Sequence, residues 1–388
     1  MEGKRLLIVS FDAVGSEELA YLGDDAYFRR IASGGTIFDK TRSITVSNTY
    51  PVHASISTGR MPGMHGLISN TAMEPESGYG WRWDSRDIKS RTIFQAAKDK
   101  GLETAAIMWP VTGYAGRTIK YNFPEILAAK DQSTLAEYMR AGSRWFDITS
   151  YIKFGKLLCK DDPSQQPQKD DFAVAVLEDL LGHHMPDLMM LHLTAYDAAC
   201  HIYGKHSPES IQALKHLDEN LGRIMKCIGD DTSIIVFSDH CQLNYSKFCD
   251  PDKATELKFS NQGHRMFYFY CCGGTCFCFP RAITEKRLCE LKGFCLGLKG
   301  VQRLVTEQEM EDSGFAQAGA AFGIGACEDY VFDQKIREKA EHGYTLDRDH
   351  YGTFIMTSWK EESQCTDVLD VTRLAAQVLG VQYKGGIV

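Results

Sequence analysis

Five short runs rich in apolar and β-branched residues, at 6–11, 104–109, 187–193, 233–238 and 352–357, constrain this chain more than any other feature. Each has the length and composition of a strand buried on both faces. Between them lie helix-period segments at 92–100, 171–181, 211–228 and 368–379. A strand that is apolar on both sides needs cover on both sides, so the expected class is α/β: a mostly parallel central sheet with helices on each face. Three stretches break the alternation, at about 71–87, 130–168 and 244–322, and are expected to be lid or cap insertions in one catalytic domain spanning 1–388. The segment 161–171, DDPSQQPQKDD, is expected to be a surface loop.

Composition narrows the function classes. The 388 residues are 44% hydrophobic and 24% charged, as in an ordinary globular enzyme, and the net charge of −8 comes without a Lys/Arg run. A nucleic-acid polymer is therefore not an expected partner. The first apolar run is short and ends on Asp12, unlike a signal peptide, and no run approaches the roughly 18 apolar residues of a membrane span. These features lead to an expectation of no membrane insertion and a cytoplasmic location, with the 13 cysteines as reduced thiols. The CCGGTCFC run at 271–278 lacks paired C-x-x-C knuckles and is expected to hold packed thiols.

Three of the strand-like runs lead into acids or acid–histidine pairs: F-D at 11–12, Y-D-A-A-C-H at 196–201 and S-D-H at 238–240. Ligands of open parallel sheets bind beyond the carboxyl ends of the strands, so these groups are expected to share one site. Asp197 and His201 are four apart and fall on one face of a helical turn, able to grip one metal. Asp239 and His240 are adjacent, and a loop just past the strand would let them serve different metals. With Asp12 they make five candidate ligands, a nitrogen and carboxylate set suited to two divalent ions, Zn2+ or alternatively Mn2+. Such a pair needs a nucleophile, and Thr49 in T-Y-P-V-H is the candidate. Pro51 fits the first turn of a helix, which would put Thr49 at that helix's N-terminus, where amides favour a phosphate oxyanion.

These motifs resemble the nucleotide pyrophosphatase/phosphodiesterase branch of the alkaline phosphatase superfamily, over most of the chain from Leu6 to about Gly380. Asp12 matches the aspartate after the first strand, and Thr49 matches the threonine of T-F-P-x-H. T-G-x-x-P-x-x-H-G is matched at 58–66, and Asn70 in HGLISN falls where family members hold a phosphate oxygen. His342 in E-H-G-Y matches the last histidine. The resemblance implies an alkaline-phosphatase-like fold, one metal on Asp197, His201 and His342, and the other on Asp12, Thr49, Asp239 and His240. It also implies a covalent phospho-threonine intermediate, formed by Thr49 and then hydrolysed, with Asn70 stabilising the phosphate oxygens. The substrate so implied is a small phosphodiester or pyrophosphate, with nucleotides foremost.

Two departures bear on specificity. Family D-H-G is D-H-C here, placing Cys241 beside a ligand, where a buried inert thiol is expected. Nucleotide-binding members stack the base between the aromatic after the threonine, here Tyr50, and a tyrosine five residues before the D-x-x-x-H aspartate, a position held here by His192. Trp81 and Trp83 lie in the first insertion and are expected to pack it. The alternatives are a phosphonate or phosphomonoester hydrolase on the same core and, at lower rank, a metal-stabilised binding protein without catalysis. A sulfatase would need C/S-x-P-x-R and a phosphomutase a serine nucleophile, and T-Y-P-V-H is neither.

Overall fold

The computed structural model describes residues 5–73, 80–127, 134–158, 166–259, 266–345 and 352–382. In chain order the strands are β1 (Arg5–Phe11), β2 (Thr36–Thr41), β3 (Thr104–Ile107), β4 (Tyr121–Phe123), β5 (Leu188–Leu193) and β6 (Thr232–Phe237). They continue as β7 (Leu243–Cys249), β8 (Phe267–Cys272), β9 (Thr275–Pro280), β10 (Val301–Leu304), β11 (Phe322–Ala326), β12 (Asp329–Phe332), β13 (Ala340–Glu341) and β14 (Thr353–Thr357). Seven of them form the central sheet in the order β2-β14-β6-β1-β5-β3-β4. Strands β6, β1, β5, β3 and β4 run parallel, while β14 is antiparallel to both β6 and β2.

Alternation along β1 explains the two-faced cover. Leu7, Val9 and Phe11 enter one apolar cluster with Phe172, Leu177, Leu214 and Leu221, from the helices Gln168–His183 and Pro208–Met225. Leu6 and Ile8 enter the opposite cluster with Ile56, Phe94 and Leu374, from the helices Thr49–Thr58, Ile93–Asp99 and Asp370–Leu379. Side chains alternate faces along a strand, so a strand between two helical layers must be apolar throughout. Each such side chain, fully buried, contributes about 1.5–3 kcal/mol. All five expected strands are present, shifted at their ends by one or two residues.

The 244–322 stretch contains three strands of the sheet β10-β11-β9-β8 and one, β7, of the sheet β12-β7-β13; the two sheets enclose a cluster that includes Leu243, Phe269, Ile324 and Tyr344. The 130–168 stretch carries the helices Thr134–Ala141 and Arg144–Phe154. Much of 161–171 lies outside the described residues, but its last residues, Gln168 to Asp171, open the helix Gln168–His183 rather than continuing a loop. The reduced-thiol expectation is corrected in one place. Cys271 and Cys276 are directly opposite across the β8–β9 hairpin and form a disulfide. The ten free cysteines among the described residues include Cys241, which is buried as expected.

Candidate metal centre

Strand β1 lies between β5 and β6, so the segments leaving their carboxyl ends converge. Asp12 follows β1, the helix Ala195–Tyr203 with Asp197 and His201 follows β5, and Asp239 and His240 follow β6. His342 arrives from the far end of the chain, just past β13. Gly343 makes that arrival possible. Its φ is +76°, and a Cβ there would fall 1.9 Å from the Cys272 carbonyl oxygen. Glycine alone tolerates that conformation and that approach.

His240 is the hub of one cluster. Its Nε2 lies 3.5 Å from Asp12 Oδ1, 3.3 Å from Asp239 Oδ2 and 3.2 Å from Thr49 Oγ1. Asp239 and His240, whose adjacency alone would allow them to face different ions, both face Asp12. The Ala13 and His240 amides both donate to Asp239 Oδ1, which turns the loop so that the two side chains share a side. The second cluster joins Asp197, His240 and His342 and overlaps a third of His201, Glu341 and His342; within each, the potential ligand atoms lie within 4.8 Å of one another. His201 Nε2 is 3.4 Å from Asp197 Oδ2, as their helical spacing requires.

The donors fit divalent cations. Asp12 Oδ1 and Asp239 Oδ2 are buried and make no hydrogen bond. Carboxylate oxygens left so cost several kcal/mol unless a cation satisfies them. Burial, and then the Asp197 charge, pushes the Asp12 carboxyl well above its ordinary range; burial, and then Asp12, does the same to Asp239. Burial, reinforced by His342, holds His240 low, and burial brings His342 down to about 4, so both imidazoles are neutral and able to ligate. Burial opposes ionisation of Asp197 and His201, but each charge stabilises the other, and the aspartate is held low and the histidine high. A bound dication would take over the role of the His201 proton.

Outer contacts fix the imidazoles. His342 Nδ1 donates to Asn48 Oδ1 at 3.0 Å, which leaves Nε2 for the site. His201 Nδ1 faces the Ala340 carbonyl at 3.0 Å and Glu338 Oε2 at 2.7 Å. Gln242 Nε2 donates to Asp197 Oδ1. Sequence reading missed Asn48, Glu338, Glu341 and Gln242; the only local signal was the acid beside the histidine in E-H-G-Y.

Thr49 is the first residue of its helix, with Asn48 in the capping position. The Tyr50 amide donates to Asn70 Oδ1 at 2.9 Å, which fixes the Asn70 amide plane beside the helix terminus. The expected base clamp is corrected. His192 is 1% exposed, its Nε2 lies 3.1 Å from Asp12 Oδ2, and its ring lies against His53 rather than solvent. It occupies a central strand opposite Ser10, where a side chain is enclosed by the sheet's own cover. Tyr50 is equally buried, packed with Ala54, Leu67 and Val111, and its outer neighbour is Trp81, with ring centroids 5.3 Å apart. Trp81 is 41% exposed and is tied to the Asn70 segment by a bridge to Thr71. His53 and His65 are buried and bonded to Ser10 and Ser55, and His53 also lies 3.6 Å from Asp239 Oδ2, in a group of His53, His192 and Asp239 whose potential ligand atoms are within 4.8 Å of one another; His206 contacts Glu18, and His264 and His350 lie outside the described residues.

The family described as "Type I phosphodiesterase / nucleotide pyrophosphatase" matches residues 6–263. Ectonucleotide pyrophosphatase/phosphodiesterase family member 1 of Homo sapiens is 24% identical over 253 residues, covering 60% of this chain and 23% of the relative. Venom phosphodiesterase CdcPDE of Crotalus durissus collilineatus is 23% identical over 224 residues, covering 54% and 23%. The chain thus spans about a quarter of the length of these relatives. Among solved structures, murine ectonucleotide pyrophosphatase/phosphodiesterase 5 superposes with a TM-score of 0.69 at 16% identity, over 98% of this chain and 96% of that one. Phosphonoacetate hydrolase from Sinorhizobium meliloti 1021 does so with 0.72 at 16% identity, over 97% and 96%. Both share the alkaline-phosphatase-like fold expected from the motifs.

The cytoplasmic expectation is overturned by these similarities, because the named nucleotide pyrophosphatase relatives are ecto-enzymes. Its basis was the short first apolar run and the missing membrane span, and neither reports a compartment. No helix among the described residues is long and apolar enough to cross a membrane.

Proposed function

Because this chain belongs to the type I phosphodiesterase/nucleotide pyrophosphatase family, we propose that it is a divalent-metal-dependent hydrolase of small phosphate esters that uses Thr49 as its nucleophile. One observation carries the reading: the Thr49 hydroxyl stands at a helix N-terminus, 3.2 Å from the imidazole that also faces Asp12 and Asp239. Asp12, Asp239 and His240, with Thr49, would hold one ion, and Asp197, His201 and His342 the other. When bound, the ions supply charge that acidifies the threonine hydroxyl and neutralises the phosphoryl group; Zn2+ is the first assignment and Mn2+ the second.

The protein's own groups do the rest. Of the helix's first turn the Thr49 amide is left for a phosphoryl oxygen, since the Tyr50 amide is held by Asn70, Pro51 has none and Val52 donates to the Asn48 carbonyl; Asn70, with its carbonyl oxygen engaged by the Tyr50 amide, turns its Nδ2 donor toward the same oxygens. Thr49 Oγ attacks phosphorus as the ester oxygen leaves, giving a phospho-threonine that water then cleaves. Nucleotide diesters are the first substrate class, in keeping with the names of the relatives. Burial of both His192 and Tyr50 favours a second reading, a phosphonate or phosphomonoester hydrolase with no base clamp.

The test is hydrolysis of bis-p-nitrophenyl phosphate, p-nitrophenyl phosphate and p-nitrophenyl thymidine monophosphate by the wild type and Thr49→Ala, with metal content measured on each. Preference for the thymidine diester, abolished in Thr49→Ala with two ions retained, supports the first reading. Preference for the monoester selects the second. Turnover that survives Thr49→Ala rules out the threonine mechanism, and a metal-loaded protein inert on all three revives the binding-protein alternative.

A further inference from the structure

The pocket of Asp197, His201 and His342 contains a carboxylate to which no role has been given. Glu341 ends β13, whose pairing with β7 places Glu341 opposite Leu243 and fixes its backbone. The β8–β9 turn closes over its stem: at Gly273, where φ is +72°, a Cβ would lie 2.8 Å from Glu341 Cγ and 2.3 Å from the His342 carbonyl oxygen. Only glycine lets the turn come so close. The His342 amide donates to Glu341 Oε1 at 3.0 Å, and the same oxygen lies 3.5 Å from His342 Nε2.

The two neighbouring glutamates do different things. Glu338 meets His201 at Nδ1, the nitrogen turned away from Asp197, where a carboxylate orients the ring. Glu341, whose carboxyl also hydrogen-bonds Glu338, instead faces His342 Nε2, the nitrogen turned to the site: its oxygen, one nitrogen of His201 and one of His342 lie mutually within 4.8 Å, beside Asp197, whose Oδ2 is 3.4 Å from His201 Nε2. A side chain placed only to orient a histidine would approach its outer nitrogen, and His342 Nδ1 is already taken by Asn48.

We propose that Glu341 is a fourth protein ligand of the ion held by Asp197, His201 and His342, and that it shifts this site's preference from Zn2+ toward Mn2+. The inference rests on the metal-dependent reading above. Two carboxylates and two imidazoles make an oxygen-rich set, which narrows the intrinsic advantage of zinc over manganese at nitrogen sites. The Asp12, Asp239 and His240 site, which Glu341 does not touch, serves as the internal control.

The experiment titrates metal-free protein, residues 1–388, with Mn2+ by electron paramagnetic resonance, and with Zn2+ by competition against a chromophoric chelator. It compares the wild type, Glu341→Gln and Glu341→Asp, with circular dichroism on each. Two ions are expected to bind the wild type. Glu341→Gln is expected to lose at least tenfold in Mn2+ affinity at one site and to keep the other, with a smaller loss for Zn2+. Glu341→Asp, which retains the carboxylate, should recover part of the loss and stands in if the glutamine variant does not fold. Two Mn2+ ions bound by both variants with affinities within twofold of wild type overturn the proposal and leave the hydrolase reading intact. Equal losses of Zn2+ and Mn2+ overturn the preference. A wild type that binds neither metal sinks the hydrolase reading itself.

Discussion

At the scale of single residues, the chemistry depends on a few polar groups whose partners are fixed. Asn70 is held by the Tyr50 amide, so on the proposed mechanism Asn70→Ala removes both a phosphate donor and a clip on the helix terminus. kcat on the preferred p-nitrophenyl ester should fall about 10²–10³-fold, the usual loss for a charge-stabilising donor, while metal content stays at the wild-type value. Away from the site, Asp147 is buried and neither of its carboxylate oxygens has a hydrogen-bond partner. Burial pushes its carboxyl up to about 8 from 3.8. Between those values the folded chain keeps a proton that the unfolded chain releases, so this group lowers stability as pH rises through the window. Asp147→Asn should therefore raise the Tm at pH 8 by several degrees and leave it unchanged near pH 4, measured by differential scanning fluorimetry.

At the scale of elements, the site is carried by strand ends and by the helices packed beneath them. Leu374, fully buried in the helix Asp370–Leu379, shares a cluster with Ile8 of β1 and Ile56 of the Thr49 helix. Leu374→Ala should cost about 2–5 kcal/mol in urea unfolding, because the rigid sheet on one side leaves little to collapse into the cavity. Runs such as LLIVSF were legible in the sequence because burial on both faces leaves them apolar throughout. TIFDKT at 36–41 was not, since its burial is intermittent, and YNF at 121–123 is too short to show a pattern. Five of the proposed metal ligands were legible for the same reason as the strands, because Asp12, Asp197, His201, Asp239 and His240 stand just after them; His342 showed only through the family motif. Asn48, Gln242, Glu338 and Glu341 were not, because their roles arise where segments distant in sequence meet. His192 was misjudged because residue type says that a ring can stack but says nothing about enclosure by neighbouring strands.

At the scale of the whole molecule, bound ions would join the first strand's end, the middle of the chain and a residue near its close. An ion that binds only the folded form stabilises it by mass action. Removal of metal with EDTA should lower the Tm by more than 5 °C, with recovery on adding back two equivalents of Zn2+ or Mn2+, read by scanning calorimetry. The same spread of ligands also orders events during synthesis. Asp12 and His342 are 330 positions apart, so at about 5–20 residues per second a ribosome delivers the last ligand roughly 20–60 s after the first. Until then the proposed second ion would lack one of its histidines, and β14, which pairs along the edge of β6, has not been made. On the proposed assignment the two ligand sets are therefore completed in order, the set of Asp12, Thr49, Asp239 and His240 about a hundred residues before His342 closes the other.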